Sequence, residues 1–329
     1  MLTAYALDGG RLKSLDVQGH AGPLPGAVWL DLEHPAAEDY AFATRETGLS
    51  LPQPEDITEI ESSSRLSAAG DVLTLTMPIV SRGEEGLTAS AAGYVLSPDR
   101  LVTIRLAPSL VISHFIEQPH AIGTCPSASL FVALLETMVD RQADALEQLR
   151  HELDKLSHEV FHTRFAGVQA DTAVRGRDTE AMLQRVLTTL GRDYDTITFL
   201  RDSQLGVGRI CAFAGATADW LPVPVKARLT SLERDIASLN EFSTHLTDKV
   251  QFLLDTTLGL INIAQNSLIK LLTVVSIVGI PPTLIAGIYG MNFKDIPELS
   301  WTYGYGYAWA LMIASSVLPL LYFRKKGWV

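Results

Sequence analysis

Tyr289-Gly290-Met291-Asn292-Phe293 lies between the two stretches of this 329-residue chain, 268–290 and 305–323, that are long and apolar enough to cross a bilayer. A spanning helix needs about 20 predominantly apolar residues, and both stretches meet that requirement. The link between them, 291–304, therefore belongs at a membrane surface. It sets an uncharged amide, Asn292, at the end of the first span. An amide can hydrogen-bond an ion's water shell without stripping it, which points to a channel for a strongly hydrated cation.

Flanking charges orient the spans. Lys270 opens the first, Arg324, Lys325 and Lys326 follow the second, and the link carries Lys294 against Asp295 and Glu298. The positive-inside tendency then puts both termini in the cytoplasm and the link outside, as expected of a multi-pass protein of an inner or plasma membrane. Trp301, Tyr303, Tyr305 and Tyr307 supply an outer aromatic belt, and Trp328 sits near the inner face. The net charge of −11 argues against nucleic-acid binding and suits an inward domain that attracts cations. Cys125 and Cys211 are far apart, with no CxxC spacing, and read as reduced thiols. The N-terminus has no basic segment followed by an apolar run, so no cleavable signal is expected.

Upstream, residues 1–125 mix strand patterns at 27–32, 72–80, 87–96 and 101–106 with helix starts at Pro35 and near Pro54. This predicts an α+β cytoplasmic domain. Residues 126–222 read as a helical hairpin, one helix from Ser127 to about Arg164 and a second from about Asp178 to Val207, with a polar break over 167–176. Residues 223–267 form a stalk. Between Val225 and Ser276 there is no proline, and the only glycine is Gly259. A helix unbroken from the stalk through the first span would be roughly 100 Å long at about 1.5 Å per residue. The second span and a basic tail, 324–329, complete the chain.

Stepping by four and three residues from Asp255 gives one face of this helix: Asp255, Gly259, Asn262, Asn266, Ile269, Thr273, Ser276, Ile280, Thr283 and Gly287. Hydrogen-bonding groups are expensive against lipid, so the stripe should face protein or water. Small residues at such spacing also serve close helix packing. Three features favour a pore: the stripe runs the length of the span, a carboxylate lies at its inner end, and Asn292 lies at its outer end. Two spans cannot enclose a pore, so several copies must each contribute one such helix to a homo-oligomer. Pro281-Pro282 should kink or tighten the span, and a ring of Ile280 side chains can close a pore by dewetting.

Other signals are weaker. His158 and His162 are spaced to chelate a metal, but with His151 they read as a solvated helix face. Asp193, Asp195 and Asp202 read as hairpin-surface charge. No phosphate-binding glycine loop and no grouping of nucleophile, base and orienting residue is found, so neither a nucleotide site nor an enzyme is expected.

Ile288-Tyr289-Gly290-Met291-Asn292-Phe293, then Pro297-Glu298-Leu299 and Trp301, resembles the CorA family of divalent-cation transporters, as does the tail Tyr322-Phe323-Arg324-Lys325-Lys326-Gly327-Trp328. The resemblance implies a funnel-shaped homopentamer in the lipid bilayer that conducts Mg²⁺ and is regulated by it, with no organic cofactor. It implies that Gly290, Met291 and Asn292 form the selectivity turn, with Asn292 holding the ion through its hydration shell. It also implies a pore lined by Gly287, Thr283, Ile280, Leu272 and Asn266, with Asp255 near the inner end; Leu272 lies one residue off the stripe. Many members carry an acidic residue directly after Met-Asn-Phe. Lys294 stands there in this chain, followed by Asp295, so the loop would collect cations less strongly. No motif places the family's regulatory acidic residues here. Transport of Zn²⁺, Co²⁺ or Ni²⁺, as in the ZntB branch, and a membrane-anchored scaffold without transport are the rival readings.

Overall fold

The computed structural model describes residues 1–17, 24–58, 65–83, 86–120, 123–165, 175–292 and 297–328. The chain divides into two compact units, one of Met1–Thr172 with Gln184–Leu254 and one of Ala173–Leu183 with Asp255–Val329.

The larger unit is built on a mixed sheet. Its strands are β1 (Leu2–Asp8), β2 (Arg11–Leu15), β3 (Ala27–Glu33), β4 (Leu66–Ala69), β5 (Val72–Gly83), β6 (Gly86–Leu96) and β7 (Leu101–Arg105). Their order is β2-β1-β3-β7-β6-β5-β4, antiparallel throughout except for the parallel pair β3 and β7. Gly9 and Gly10 turn β1 into β2 with φ of 55° and 80°. Gly10 is doubly constrained, because a Cβ there would lie 2.9 Å from the His120 carbonyl oxygen.

Strand alternation divides the apolar side chains between two faces. Leu30, Leu32, Val102 and Ile104 join one core with Tyr40 and Ala43 of α1 (Ala37–Thr47) and Ile57 of α2 (Pro54–Thr58). Trp29, Leu75, Met77, Tyr94 and Leu101 join the other, packing on α3 (Leu110–Glu117) and on the three long helices. Asp31 and Arg105 are buried on the neighbouring β3 and β7. They are paired at 2.7 Å, and the Asp31 carboxylate also accepts from Thr103 at 2.6 Å. A buried charge pair is tolerated when its remaining hydrogen-bonding capacity is filled in this way.

The long helices are α4 (Pro126–Phe165), α5 (Arg175–Thr217) and α6 (Val223–Tyr289). Glu136 pairs with Arg228, and Asp154 with Lys249. The nearly constant offset shows that α4 and α6 run parallel. Gln204 meets Ser243, and Gly208 lies beside Ile236, so α5 runs antiparallel to α6. α5 begins and ends outside the expected 178–207. Glycines at 206, 208 and 215 look like stop signals in the sequence. In the fold Gly206 lets the helix approach β5, where a Cβ would sit 2.8 Å from that of Met77, and the turns beyond are held by buried Ile210, Cys211 and Ala214. Packing overrides propensity here. β1, β2, β4 and α3 were not anticipated. Of the expected break at 167–176, residues 167–174 lie outside the described residues.

α6 is a single helix of 67 residues that continues through Pro281 and Pro282. In the smaller unit its last part packs with α7 (Gly304–Lys325), a helix of 22 residues. These are the two helices of the described residues with the length and apolarity to cross a membrane. Leu268, Leu271, Leu272, Val275 and Leu284 are all exposed, a patch that water would not tolerate and lipid or other copies would cover.

Candidate ion pathway on the first membrane helix

α6 presents two unlike faces in the membrane unit. Val274 is buried, and Val278, Pro281, Pro282, Ile285 and Tyr289 are half-buried, spaced three and four apart. This face packs on α7. Ser276, Ile280, Thr283 and Gly287 occur at the same spacing and fall roughly opposite it at about 3.6 residues per turn. All four are exposed. Asp255, Asn262 and Asn266, further down the stripe, are exposed as well, while Thr273 is half-buried beside Val274. Leu272 is 65% exposed.

A shallow groove of about 770 Å³ runs along the uncovered face, lined by Val275, Ser276, Gly279, Ile280, Thr283, Leu284, Gly287, Ile288 and Met291. All but Met291, in the turn that follows, belong to α6, and α7 supplies no wall. A Cβ added at Gly259, Gly279 or Gly287 would meet nothing within 4 Å. Sterics within one chain do not require glycine at those positions. The hydroxyls of Thr273 and Thr283 donate back to the carbonyls of Ile269 and Gly279, each at 2.8 Å. With the proton so used, each hydroxyl turns only lone pairs outward, an arrangement that suits a cation or the hydrogens of its water.

At the outer end the helix stops at a tightened turn. The Gly290 N–H donates to Ala286 at 3.0 Å and the Met291 N–H to Ile288 at 3.2 Å, which fills two of the terminal carbonyls. A Cβ on Gly290 would press on the Ala286 oxygen at 3.0 Å. Asn292 follows, exposed, and among the described residues nothing hydrogen-bonds its side chain. Asp295 lies outside the described residues. Glu298 is on a short 3₁₀ turn, Pro297–Ser300, whose carbonyl at Glu298 accepts from Trp301. Gly304, at the start of α7, packs so closely that a Cβ would lie 2.2 Å from the Glu298 oxygen. Trp301 and Tyr307 meet edge to face at 5.9 Å, and Tyr305 and Trp309 at 6.5 Å.

The sequence reading missed Ser316. Pro282 has no N–H for the carbonyl of Val278, and Ser316 of α7 donates to that carbonyl instead at 3.2 Å. A serine in one apolar span and a proline in the other were the available signal, since polar groups in lipid must find partners. Asp193 is a correction. It is buried on α5 at 3% exposure, not on the hairpin surface, while Asp195 and Asp202 are exposed as expected. Burial, reinforced by Glu152 on α4, pushes the Asp193 carboxyl up to about 6. His151 is exposed and bonded to the Glu147 carbonyl, and no group of His, Cys, Asp and Glu among the described residues is arranged to hold a metal.

Residues 25–325 match the family described as CorA-like Mg2+ transporter protein. The chain belongs to that family. It is thus a membrane protein and a divalent-cation transporter of the CorA superfamily, not an enzyme. It is 31% identical over 332 residues to the magnesium transport protein CorA of Haemophilus influenzae, all of both chains being covered. The figures are the same for the magnesium transport protein CorA of Escherichia coli K12. The CorA magnesium transporter of Methanocaldococcus jannaschii superposes with a TM-score of 0.73 over 100% of this chain and 99% of that one, at 19% identity. The order of α/β unit, long helix and two apolar C-terminal helices is therefore a CorA fold.

Proposed function

We propose that this protein is a homo-oligomeric magnesium channel, a pentamer by family resemblance. In this reading the uncovered face of α6 from each copy lines the pore, and a ring of Asn292 amides selects the hydrated ion at its outer mouth. The observation that carries the proposal is the opposition of the two α6 faces. One packs on α7. The other bears the hydrogen-bonding and glycine positions, has no wall from its own chain, and ends at an amide with no partner among the described residues. The 31% identity to proteins named for magnesium transport supports the choice of ion.

Mg²⁺ gives up water reluctantly and demands strict geometry from its oxygen ligands. Amide oxygens accept hydrogen bonds from its inner-shell water, so the ion passes the Asn292 ring without dehydration. Within the span it meets the outward lone pairs of Thr283 and Thr273 and the exposed hydroxyl of Ser276. Ile280 interrupts them with a ring narrow and apolar enough to shut the path by dewetting. Asn266 and Asn262 continue the polar face, and Asp255 concentrates cations at the inner end. The membrane potential drives inward movement: at about 2.3 kcal/mol per charge per 100 mV, a dication gains roughly 4.6 kcal/mol. Cytoplasmic Mg²⁺ acts back on the acidic inner domain to close the channel, and no nucleotide takes part.

Uptake into proteoliposomes, with Mg²⁺, Zn²⁺, Co²⁺ and Ni²⁺ compared side by side, tests this. Potential-driven Mg²⁺ entry that Asn292→Ala strips of selectivity is the expected result. Preference for Zn²⁺ would move the protein to the transition-metal branch, and no flux of any ion would leave a scaffold.

A further inference from the structure

At the end of the two spans away from Asn292 lie four of the five Lys and Arg residues that follow Asp255: Lys270 on α6, and Arg324, Lys325 and Lys326 at the end of α7. All four are exposed. Among the described residues no carboxylate lies within 4.0 Å of any of them. In a chain of net charge −11 this is a local reversal of sign.

The cluster is also organised. Gly327 takes a φ of 70°, a conformation that favours glycine, and turns the chain back on α7. The Trp328 N–H then donates to the Phe323 carbonyl at 3.0 Å, and the indole stacks on the Phe323 ring with centroids 5.3 Å apart. The Lys270 ammonium lies 6.0 Å from the Trp328 ring, and that of Lys326 lies 5.4 Å from the Tyr322 ring. The tail so joins the cations of α7 to the one on α6.

Depth selects the partner. Lys270 is 19 residues before Tyr289, and Arg324 is 20 residues after Gly304. At about 1.5 Å per residue each cation stands roughly 30 Å from the opposite end of its span, one hydrocarbon thickness. That is the level of headgroup phosphates, where a tryptophan ring also settles. A soluble acidic peptide or a nucleic acid would have to reach into the interface to meet the same four charges.

We propose that Lys270, Arg324, Lys325 and Lys326, with the Trp328 ring as their wall, form a binding site for the headgroup phosphate of an anionic phospholipid. Because Lys270 sits on α6 and the other three cations follow α7, one phosphate ties the two membrane helices together at this end. The site rests on the membrane reading alone and not on which ion is carried.

The full-length protein is reconstituted in bilayer nanodiscs of equal phosphatidylglycerol and phosphatidylcholine, extracted gently, and the retained lipid is identified by mass spectrometry. The wild type is expected to retain phosphatidylglycerol preferentially, with the preference falling several-fold for each charge removed and lost in the combined variant Lys270→Gln, Arg324→Gln, Lys325→Gln, Lys326→Gln. Trp328→Ala, with all charges intact, is expected to weaken it partly. If the combined variant fails to assemble, a set with Lys270, Lys325 and Lys326 changed to Arg should keep the preference, and loss in that set would overturn the proposal. Equal retention of both lipids by the wild type would overturn it. So would displacement of phosphatidylglycerol by millimolar inorganic phosphate, which would assign the cluster to a soluble anion. Lipid retention is read without ion flux, so its failure leaves the transport reading untouched.

Discussion

The Ser316 hydroxyl of α7 donates to the Val278 carbonyl of α6 at 3.2 Å. That carbonyl is the one Pro282 leaves without its helical donor. In lipid no water can take the place of the missing N–H, so the second span repairs the first. Ser316→Ala should lower the thermal stability of the detergent-solubilised protein by about 1 kcal/mol. In a Pro282→Ala background the N–H returns, and Ser316→Ala should cost little. Equal losses in both backgrounds, measured as a double-mutant cycle, would show that the hydroxyl does something else.

Two glycines separate folding from conduction. At Gly287 an added side chain meets nothing within its own chain, whereas at Gly304 a Cβ would lie 2.2 Å from the Glu298 oxygen. Gly287→Val should leave the melting temperature nearly unchanged and cut Mg²⁺ flux by roughly tenfold or more, since it narrows a pore with an apolar group. Gly304→Val should cost about 2 kcal/mol of stability through overpacking. Paired thermal-melt and flux measurements check both. A Gly287→Val protein that conducts normally would remove that position from the pore.

Asp193 gives stability a pH dependence of defined sign. Burial raises its carboxyl to about 6 from an ordinary value of 3.8, so between those values the folded state holds more protons than the unfolded one. Stability contributed by this group is then greatest at acid pH and falls as pH rises towards 6. Asp193→Asn, which removes the buried charge and keeps the shape, should raise the melting temperature at pH 7.5 by roughly 3 °C. The gap between the variant and the wild type should close towards pH 4. A gap that widens on acidification would mean that the carboxylate is stabilised in the fold.

Length and apolarity alone reveal the two spans, because a bilayer imposes a minimum on both. The polar stripe is legible for a related reason: a spacing of three and four residues fixes one helix face before any neighbour is known. The same spacing carried a signal that went unread on α5. Leu183, Val186, Leu190, Ile197 and Leu200 are all buried, and Asp193 fills the place between Leu190 and Ile197 in that series. Judged by residue type it reads as surface, but judged by position it belongs to the core. β1 and β2 were harder to see, since few side chains of β1 and none of β2 are fully buried and the alternation that marks a strand is weak. The ends of α5 and the bond from Ser316 to Val278 depend on which elements lie side by side, and no single stretch of sequence states that.

The direction in which the stripe faces decides the account, and cysteine accessibility measures it. With Cys125 and Cys211 replaced by serine, single cysteines are placed at Ser276, Thr283 and Gly287 on the uncovered face and at Val274, Val278 and Ile285 on the α7 face. Each variant is assayed for Mg²⁺ uptake before and after a charged, water-soluble thiol reagent. Block confined to the first three positions is the predicted result. Block at Val274, Val278 and Ile285 with none at Ser276, Thr283 and Gly287 would contradict it.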